Sequence, residues 1–324
     1  MAALRQAHAH VIYAAGERPS FLATWTSRLA LFCAVLLIAA VVLHRLLALP
    51  TPIAMTMAGA AFAGALISLV MAAVAGADIW VTGRDGAARV IFGSVVALGL
   101  LMLPAAVFVL SRNYPAINDI TTDTADPPEF TAAKKVRRRG ANSVAYPGPE
   151  FAKQQQARYS DLAPLIVPRT SEEAYELVLQ ALSKLRYRTT FEAPPADDDS
   201  TPGLIEVADK TLVLGFVDDV VIRVTADEAG GERSARIDVR SASRYGQNDF
   251  GRNADRVRLI LKEIVGRLEA SVPNPEALAA KRAKKEAAKL KKAGDPSSAA
   301  NRRKPAPAQS GTQRAPARKA TQPE

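Results

Sequence analysis

The sequence predicts an α+β protein: three N-terminal transmembrane helices, a small antiparallel sheet packed against two helices, and a disordered basic tail. Three observations support this fold class. Apolar runs in the first third of the chain are long enough to cross the hydrocarbon core of a bilayer. Two apolar stripes at helical spacing then flank several short extended segments, a pattern typical of helices that cover one face of a sheet. The end of the chain is rich in Lys, Arg, Ala and Pro, which favours disorder.

The predicted membrane region covers residues 29–110 and follows a polar lead, residues 1–28. Its three spans are Leu29–Leu49, Ile53–Ala77 and Val90–Leu110. The second span carries no charged residue and exceeds the roughly 20 residues that a helix needs to cross the bilayer. A cleaved signal peptide is the alternative for the first span, and it is disfavoured because the lead is long and two further spans follow.

The positions of Lys and Arg around the spans predict that the N-terminus is cytoplasmic. Five arginines in the lead and the second loop face one in the first loop: Arg5, Arg18, Arg28, Arg84 and Arg89 against Arg45. Positive charges accumulate in cytoplasmic segments, so everything after the third span is expected outside, in the periplasm of a cell with two membranes. The basic run at residues 134–139 opposes this orientation, but it starts too far from the third span to weigh strongly.

The remaining chain divides into a tether, a folded domain and a tail. Residues 111–169 contain many prolines and are expected to form a mostly irregular tether. The folded domain is expected at residues 170–270. The tail, residues 271–324, is expected to be largely disordered. From Val272 onward it holds thirteen Lys or Arg and four acidic residues, which account for nine of the ten net positive charges.

The folded domain is expected to begin with an amphipathic helix, to continue with short strands and to end with a second amphipathic helix. Thr170 and Glu173 form a capping box ahead of the first apolar stripe. Extended segments follow at Tyr187–Phe191, Leu204–Ala208 and Thr211–Leu214. Val220–Val224 and Arg236–Arg240 are expected to pair as an antiparallel hairpin connected through Glu228–Glu232. Asn253 is expected to cap the last helix.

Several motifs in this region together resemble the bacterial domain-of-unknown-function family numbered 1499, in its longer, membrane-anchored type. The motifs are Phe216–Asp219, Asp238–Arg244 and Gly246–Asn253, with a lead-in at Pro115–Asp123 and Tyr146–Gly148. The resemblance runs from roughly Pro115 to Leu268. It implies the fold and a location in the cell envelope, and it implies no established activity.

The residue types in the folded domain exclude several chemistries. All three histidines, His8, His10 and His44, precede the second span, and the only cysteine, Cys33, lies in the first span. Ser-His-Asp and Cys-His catalysis and the usual zinc ligands are therefore excluded from the domain, and no cofactor or bound metal is expected. Oxygen ligands at residues 118–123 and at Asp197–Asp199 could attract a hard cation, but solvated turns are the favoured interpretation.

The loop between the hairpin and the last helix is the best candidate binding site. Its cations and the free N–H groups that open a helix would suit a phosphate or carboxylate. The candidate residues are Arg240, Ser241, Ser243, Arg244, Asn248, Asp249, Arg252 and Asn253. The alternative, which is favoured, is that these residues only build a turn and a helix cap.

Asp218 and Asp219 form a second candidate, either as an acid/base pair or as metal ligands. Adjacent residues of a strand point to opposite faces, which weakens that interpretation. Asp218 is expected on the apolar face, where an ionised carboxylate needs a partner. A structural ion pair with Arg240 or Arg244, or a bulge that turns Asp218 outward, is therefore favoured.

These observations predict a multi-pass protein of the bacterial inner membrane with a periplasmic domain that binds a ligand or partner without catalysis. The tail is expected to contact anionic lipid or envelope polymer, and a protein partner is also open. Nucleic acid is disfavoured because the tail has no aromatic residue to stack on bases. Two alternatives remain: a histidine-free enzyme that uses Asp218, Asp219 or Asp249, and a polyanion binder that faces the cytoplasm.

Overall fold

The three expected membrane spans are present as long apolar helices. The computed structural model of the protein describes residues 20–196, 199–211, 214–227 and 234–271. The spans are α1 (Phe21–Leu46), α2 (Thr51–Thr82) and α3 (Ala87–Ser111), and each is long and apolar enough to cross a membrane. Helix α1 starts earlier than expected because the Ser20 side chain accepts a hydrogen bond from the N–H of Ala23.

Small residues lie where the spans pack against one another. Ala30, Ala65 and Ala97, one from each span, are buried together. A Cβ atom added at Gly64 would lie 2.5 Å from Cys33 Sγ, and one added at Gly93 would lie 2.7 Å from Thr26 Cγ2. The absence of a side chain at these two glycines therefore lets the helices approach closely.

The domain is built on an antiparallel sheet. Its strands are β1 (Asp119–Thr121), β2 (Leu165–Val167), β3 (Arg188–Ala193), β4 (Gly203–Lys210), β5 (Val217–Ala226) and β6 (Ala235–Ser243). The order across the sheet is β1-β6-β5-β4-β3, and β2 also pairs with β6. The predicted hairpin is confirmed, with Val221 opposite Arg240 and Ala226 opposite Ala235. The expected connection at Glu228–Glu232 lies outside the described residues.

Two helices pack on one face of this sheet, as predicted. Helix α6 (Ser171–Lys184) begins at the expected capping box of Thr170 and Glu173, and helix α7 (Arg252–Ser271) follows the sheet. Apolar residues from both helices are buried with apolar residues of β4, β5 and β6: Ala174, Val178, Val257, Ile260, Ile264, Ile205, Val207, Val220, Ile222, Ile237 and Val239. We call this face of the sheet the helix face.

The opposite face is covered by Phe130, Ala133 and Val144. They belong to the segment that was expected to be an irregular tether, residues 111–169, which we call the cover segment. This segment contributes β1, β2 and two short helices, α4 (Ala132–Val136) and α5 (Pro149–Arg158). Phe130 and Ala133 pack against Val221 and Ala242, and we call this the cover face. Most of the segment lies outside helices and strands, as its prolines predict. It nevertheless packs against the sheet as part of the folded domain, because prolines exclude long helices but not short strands. The tail beyond Ser271 lies outside the described residues.

Candidate functional site

A buried ion pair joins the cover segment to the sheet. Arg240 donates from Nε and Nη2 to the two carboxylate oxygens of Asp119, at 2.9 and 2.7 Å. It also donates to the carbonyls of Pro128 and Val144, both at 2.9 Å, and lies over the ring of Phe130. Arg240, a predicted ligand-binding residue, therefore lies inside the cover face with its polar atoms engaged. Burial raises the pKa of Asp119, and Arg240 opposes the increase.

Two other acidic side chains of the cover face, those of Asp219 and Asp238, form ion pairs with arginines. Asp219 accepts from Arg137 at 2.8 Å and from Arg244 at 2.6 Å. Asp238 accepts from Arg223 and Arg236, both at 3.1 Å. The pairing expected for Arg244 thus exists, but with Asp219 rather than Asp218.

Backbone groups of the cover segment bind the sheet as well. Glu206 of β4 accepts from the N–H groups of Thr131, Ala132 and Ala133 at the start of α4. Helix N-termini favour such a carboxylate because their first N–H groups lack intrahelical partners.

The two acidic residues of the segment 118–123, considered above as cation ligands, form ion pairs instead. Asp119 binds Arg240, and Asp123 binds Arg236 at 2.6 Å. These oxygen atoms do not converge on a common point.

Asp218 points to the helix face, as alternation predicts, but its partner is Arg256 of α7. Arg256 donates to Asp218 at 2.7 Å and to Asp209 of β4 at 2.7 Å. Burial alone would lower the pKa of Arg256, but the two carboxylates outweigh burial and raise it. The predicted partners Arg240 and Arg244 were wrong for Asp218, because both project from the chain toward the cover face, where they bind Asp119 and Asp219.

Asn253 is buried and connects α7 to the end of β6 through hydrogen bonds. The prediction that it caps the helix was wrong. Its side-chain oxygen accepts from Ser241 Oγ at 2.7 Å, and its amide nitrogen donates to Ser243 Oγ at 3.0 Å. Asp249 accepts instead from the N–H groups of Gly251 and Asn253, both at 2.9 Å. Asp249 therefore accepts hydrogen bonds from the backbone N–H groups at the start of α7. Burial raises the pKa of its carboxyl despite these donors.

The loop that follows β6 contacts the end of the third span. Asn248 donates to the carbonyls of Ser111 and Tyr114, at 3.3 and 3.4 Å. Its side-chain oxygen accepts from the N–H of Phe250 at 2.8 Å, which supports the left-handed backbone of Phe250 (φ 55°). The loop thereby places the domain against the membrane helices.

A cavity of about 710 Å³ opens between this loop and the third span. We call it the loop cavity. Val107, Leu214, Phe216 and Phe250 contribute apolar side chains to its wall. Polar side chains also line it: Ser111, Thr211, Asp218, Ser243, Tyr245, Gln247, Asn248, Asp249 and Arg252. Within the described part of the chain, the Arg252 guanidinium is exposed and has no hydrogen-bond or ion-pair partner.

The predicted site residues therefore separate into three groups. Ser243, Asn248, Asp249, Arg252 and Asp218 line the loop cavity, and Arg244 lines a smaller cavity next to it. Ser241 and Asn253 lie in the hydrogen-bonded core beside Arg256. Arg240 and Asp219 belong to the cover face. Among the described residues, no group of three or more His, Cys, Asp and Glu side chains is placed to hold a metal ion.

Several residues of the site were not identified from the sequence. Arg256 occupies the position four before Ile260 and eight before Ile264, so a charged residue interrupts the buried stripe of α7 and could have indicated a buried ion pair. Val107 and Ser111 carry no such signal, because their role depends on how the domain packs on the third span.

Comparison with protein families matches residues 119–264 to the family described as "Protein of unknown function (DUF1499)". The matched range includes most of the cover segment, the whole sheet and most of α7. The resemblance expected from the motifs is thus confirmed. Comparison with curated proteins found no match.

Proposed function

We propose that this protein is a non-enzymatic binding module of the bacterial inner membrane, with a periplasmic domain that holds an amphipathic ligand in the loop cavity. The single observation that carries the proposal is the composition of that cavity. Its wall joins the apolar side chains of Val107, Leu214 and Phe250 to the exposed cation of Arg252. Binding sites for small molecules are commonly apolar clefts with a few placed polar groups.

The position of the loop cavity favours a ligand that reaches it from the bilayer. Val107 lies one turn before the end of α3, and Ser111 is the last residue of that helix. The cavity therefore begins at the end of the third span. An apolar part of the ligand would lie along Val107 and Phe250, and an anionic part would face Arg252.

The state of the carboxylates supports binding rather than catalysis. A general acid or base must reach the proton that it transfers. Asp218 is held by Arg256, Asp219 is held by Arg137 and Arg244, and both oxygens of Asp249 accept backbone N–H groups. Asp218 and Asp219 also lie on opposite faces of the sheet, so they would not act on one substrate together.

The periplasmic orientation rests on the positive charges that flank the spans. The predicted cytoplasmic side carries the three arginines of the lead together with Arg84 and Arg89, whereas Arg45 and Arg112 flank the spans on the domain side. This asymmetry follows the positive-inside rule. The tail would then extend in the periplasm, where its excess of Lys and Arg would contact anionic lipid or envelope polymer.

The loop cavity can be tested by photocrosslinking in cells. The photoreactive residue p-benzoylphenylalanine would replace Leu214, which lines the cavity and is 43% exposed. The control would replace Leu259 of α7, which is 47% exposed and lies outside the cavity lining. After irradiation, the intact mass of the purified chain should show a discrete small-molecule addition at position 214 but not at position 259. No addition at position 214, or the same addition at both positions, would contradict the proposal.

A further inference from the structure

A second cavity, of about 210 Å³, lies between the domain and the connection from α1 to α2. We call it the basic cavity. One wall is formed by Ala48, Leu49 and Pro50 of the connection, and the other by residues of the cover segment and of the sheet edge. Gly215 lies at the closest approach: a Cβ atom there would be 3.1 Å from Arg45 Cδ and 3.1 Å from Lys210 Cε. The basic cavity is thus built by the packing of the domain on the first two spans.

Positive charge dominates the lining of the basic cavity. Arg137, Arg138, Lys210 and Arg244 line it, and none of the described acidic residues does. Asp219 neutralises one of the two charges of Arg137 and Arg244, because both arginines bind it. Three positive charges therefore remain in excess. Within the described residues, the exposed Arg138 guanidinium has no hydrogen-bond or ion-pair partner.

The start of α2 adds to this preference for an anion, and a buried histidine adds an unpaired polar atom. Thr51, the first residue of α2, lines the basic cavity, and the N-terminal end of a helix carries partial positive charge. His44 also lines the cavity and is only 8% exposed. Its Nδ1 is 2.7 Å from the carbonyl of Leu49, whereas its Nε2 is buried without a hydrogen-bond partner among the described residues.

The tautomer of His44 defines what Nε2 can offer. A carbonyl oxygen only accepts hydrogen bonds, so Nδ1 carries the proton. Nε2 is then a hydrogen-bond acceptor that a ligand hydroxyl can reach. A ligand that bears both a phosphate and a hydroxyl would satisfy this otherwise unpaired atom.

The basic cavity lies beside the end of the first span, α1. Helix α1 ends at Leu46, and Leu46 and Leu47 are 74% and 71% exposed. Exposed leucines at the end of a span favour the acyl chains next to the headgroups. Lys and Arg at this level commonly extend toward lipid phosphates. The tail of this chain cannot be the occupant on electrostatic grounds, because it is itself strongly basic.

We infer that the basic cavity binds the phosphate-containing headgroup of an anionic phospholipid from the leaflet on the domain side. The phosphate lies between Arg138 and Lys210, a headgroup hydroxyl reaches His44, and the acyl chains remain in the bilayer beside Leu46 and Leu47. The bound lipid then connects the first two spans to the domain. This inference concerns a different cavity from the proposed ligand site and does not depend on it.

The test measures lipid binding to the full chain in neutral detergent by native mass spectrometry. The probes are short-chain phosphatidylglycerol, short-chain phosphatidylcholine and inorganic phosphate. Arg138→Gln with Lys210→Gln removes two charges from the cavity lining. The matched control, Lys134→Gln with Lys135→Gln, removes two exposed charges from the neighbouring helix α4, outside the lining.

The native chain should bind phosphatidylglycerol in preference to phosphatidylcholine. The cavity variant should lose about tenfold or more in affinity for phosphatidylglycerol, since each cation near a lipid surface contributes substantially to binding, and the control should bind like the native chain. Equal binding of the two lipids, or an equal loss in both variants, would overturn the inference. Competition by inorganic phosphate as strong as that by phosphatidylglycerol would overturn the lipid assignment and leave a site for free phosphate.

Discussion

Replacing Arg240 by methionine should destabilise the domain more than any change to an exposed ion pair. The side chains of Arg240 and Asp119 are only 2% and 4% exposed. Arg240→Met leaves the Asp119 carboxylate buried without its partner and removes the donors to the carbonyls of Pro128 and Val144. Removal of one partner from a buried pair costs about 3–5 kcal/mol, so we expect a loss of stability in that range.

Amide hydrogen exchange of the full chain in detergent micelles measures this loss locally. The most protected amides of β5 and β6 report the opening of the sheet. A loss of about 3–5 kcal/mol corresponds to exchange that is faster by roughly a hundredfold to several thousandfold. The matched control is Arg258→Met, because Arg258 pairs with Asp161 at the surface with side chains 38% and 55% exposed. The control should cost less than about 1 kcal/mol.

A double variant separates the buried charge from the packing. Asp119→Leu together with Arg240→Met replaces both charges by apolar side chains and leaves no unpaired carboxylate. Such replacements are often close to neutral, so much of the lost protection should return. If the amides of the Arg240→Met variant exchange at the rate of the Arg258→Met control, the buried pair does not stabilise the sheet. A double variant that is less stable than Arg240→Met would also contradict this explanation.

Two further predictions concern the backbone and the surface charges. Gly215→Ala should lower the free energy of unfolding by roughly 1–2 kcal/mol in a thermal unfolding experiment, because Gly215 has a left-handed backbone (φ 76°). The control Gly266→Ala, in an open position of α7, should raise it by up to about 1 kcal/mol. Equal effects of the two substitutions would contradict this explanation. Arg258 holds the pKa of Asp161 below its usual range, so the pair stabilises the folded state above the ordinary pKa of aspartate and loses this contribution as the pH falls through the lowered pKa. Asp161→Asn should therefore lower the unfolding temperature slightly at neutral pH, and the difference should close below about pH 4; a constant difference across that range would contradict the assignment.

The features predicted correctly from the sequence are those encoded by neighbouring residues. The second span is a continuous apolar run, the capping box of Thr170 and Glu173 marks the start of α6, and the β-branched residues around Val221 mark β5. Each signal lies within one element. A periodic pattern is sufficient to predict such elements, because the helix and the strand impose their own spacing.

The features that were missed depend on contacts between distant segments. Strand β1 has three residues, and it is stable because Asp119 meets Arg240 across more than a hundred residues of chain. The partner of Asp218 could not be predicted, because Arg256 reaches it only after α7 has packed on the sheet. Both cavities likewise exist only because the domain packs on the ends of the spans, so residue spacing alone identified part of their lining.

The periplasmic placement of the domain is the central claim of the proposed function, and cysteine accessibility in cells tests it most directly. The native Cys33 is buried among the spans, so single cysteines can be introduced at the exposed positions Glu172, in the domain, and Asp85, in the loop between α2 and α3. A maleimide that crosses the outer membrane but not the inner one should label position 172 in intact cells and position 85 only after lysis. Labelling of position 85 in intact cells, with position 172 protected until lysis, would place the domain in the cytoplasm and contradict the account.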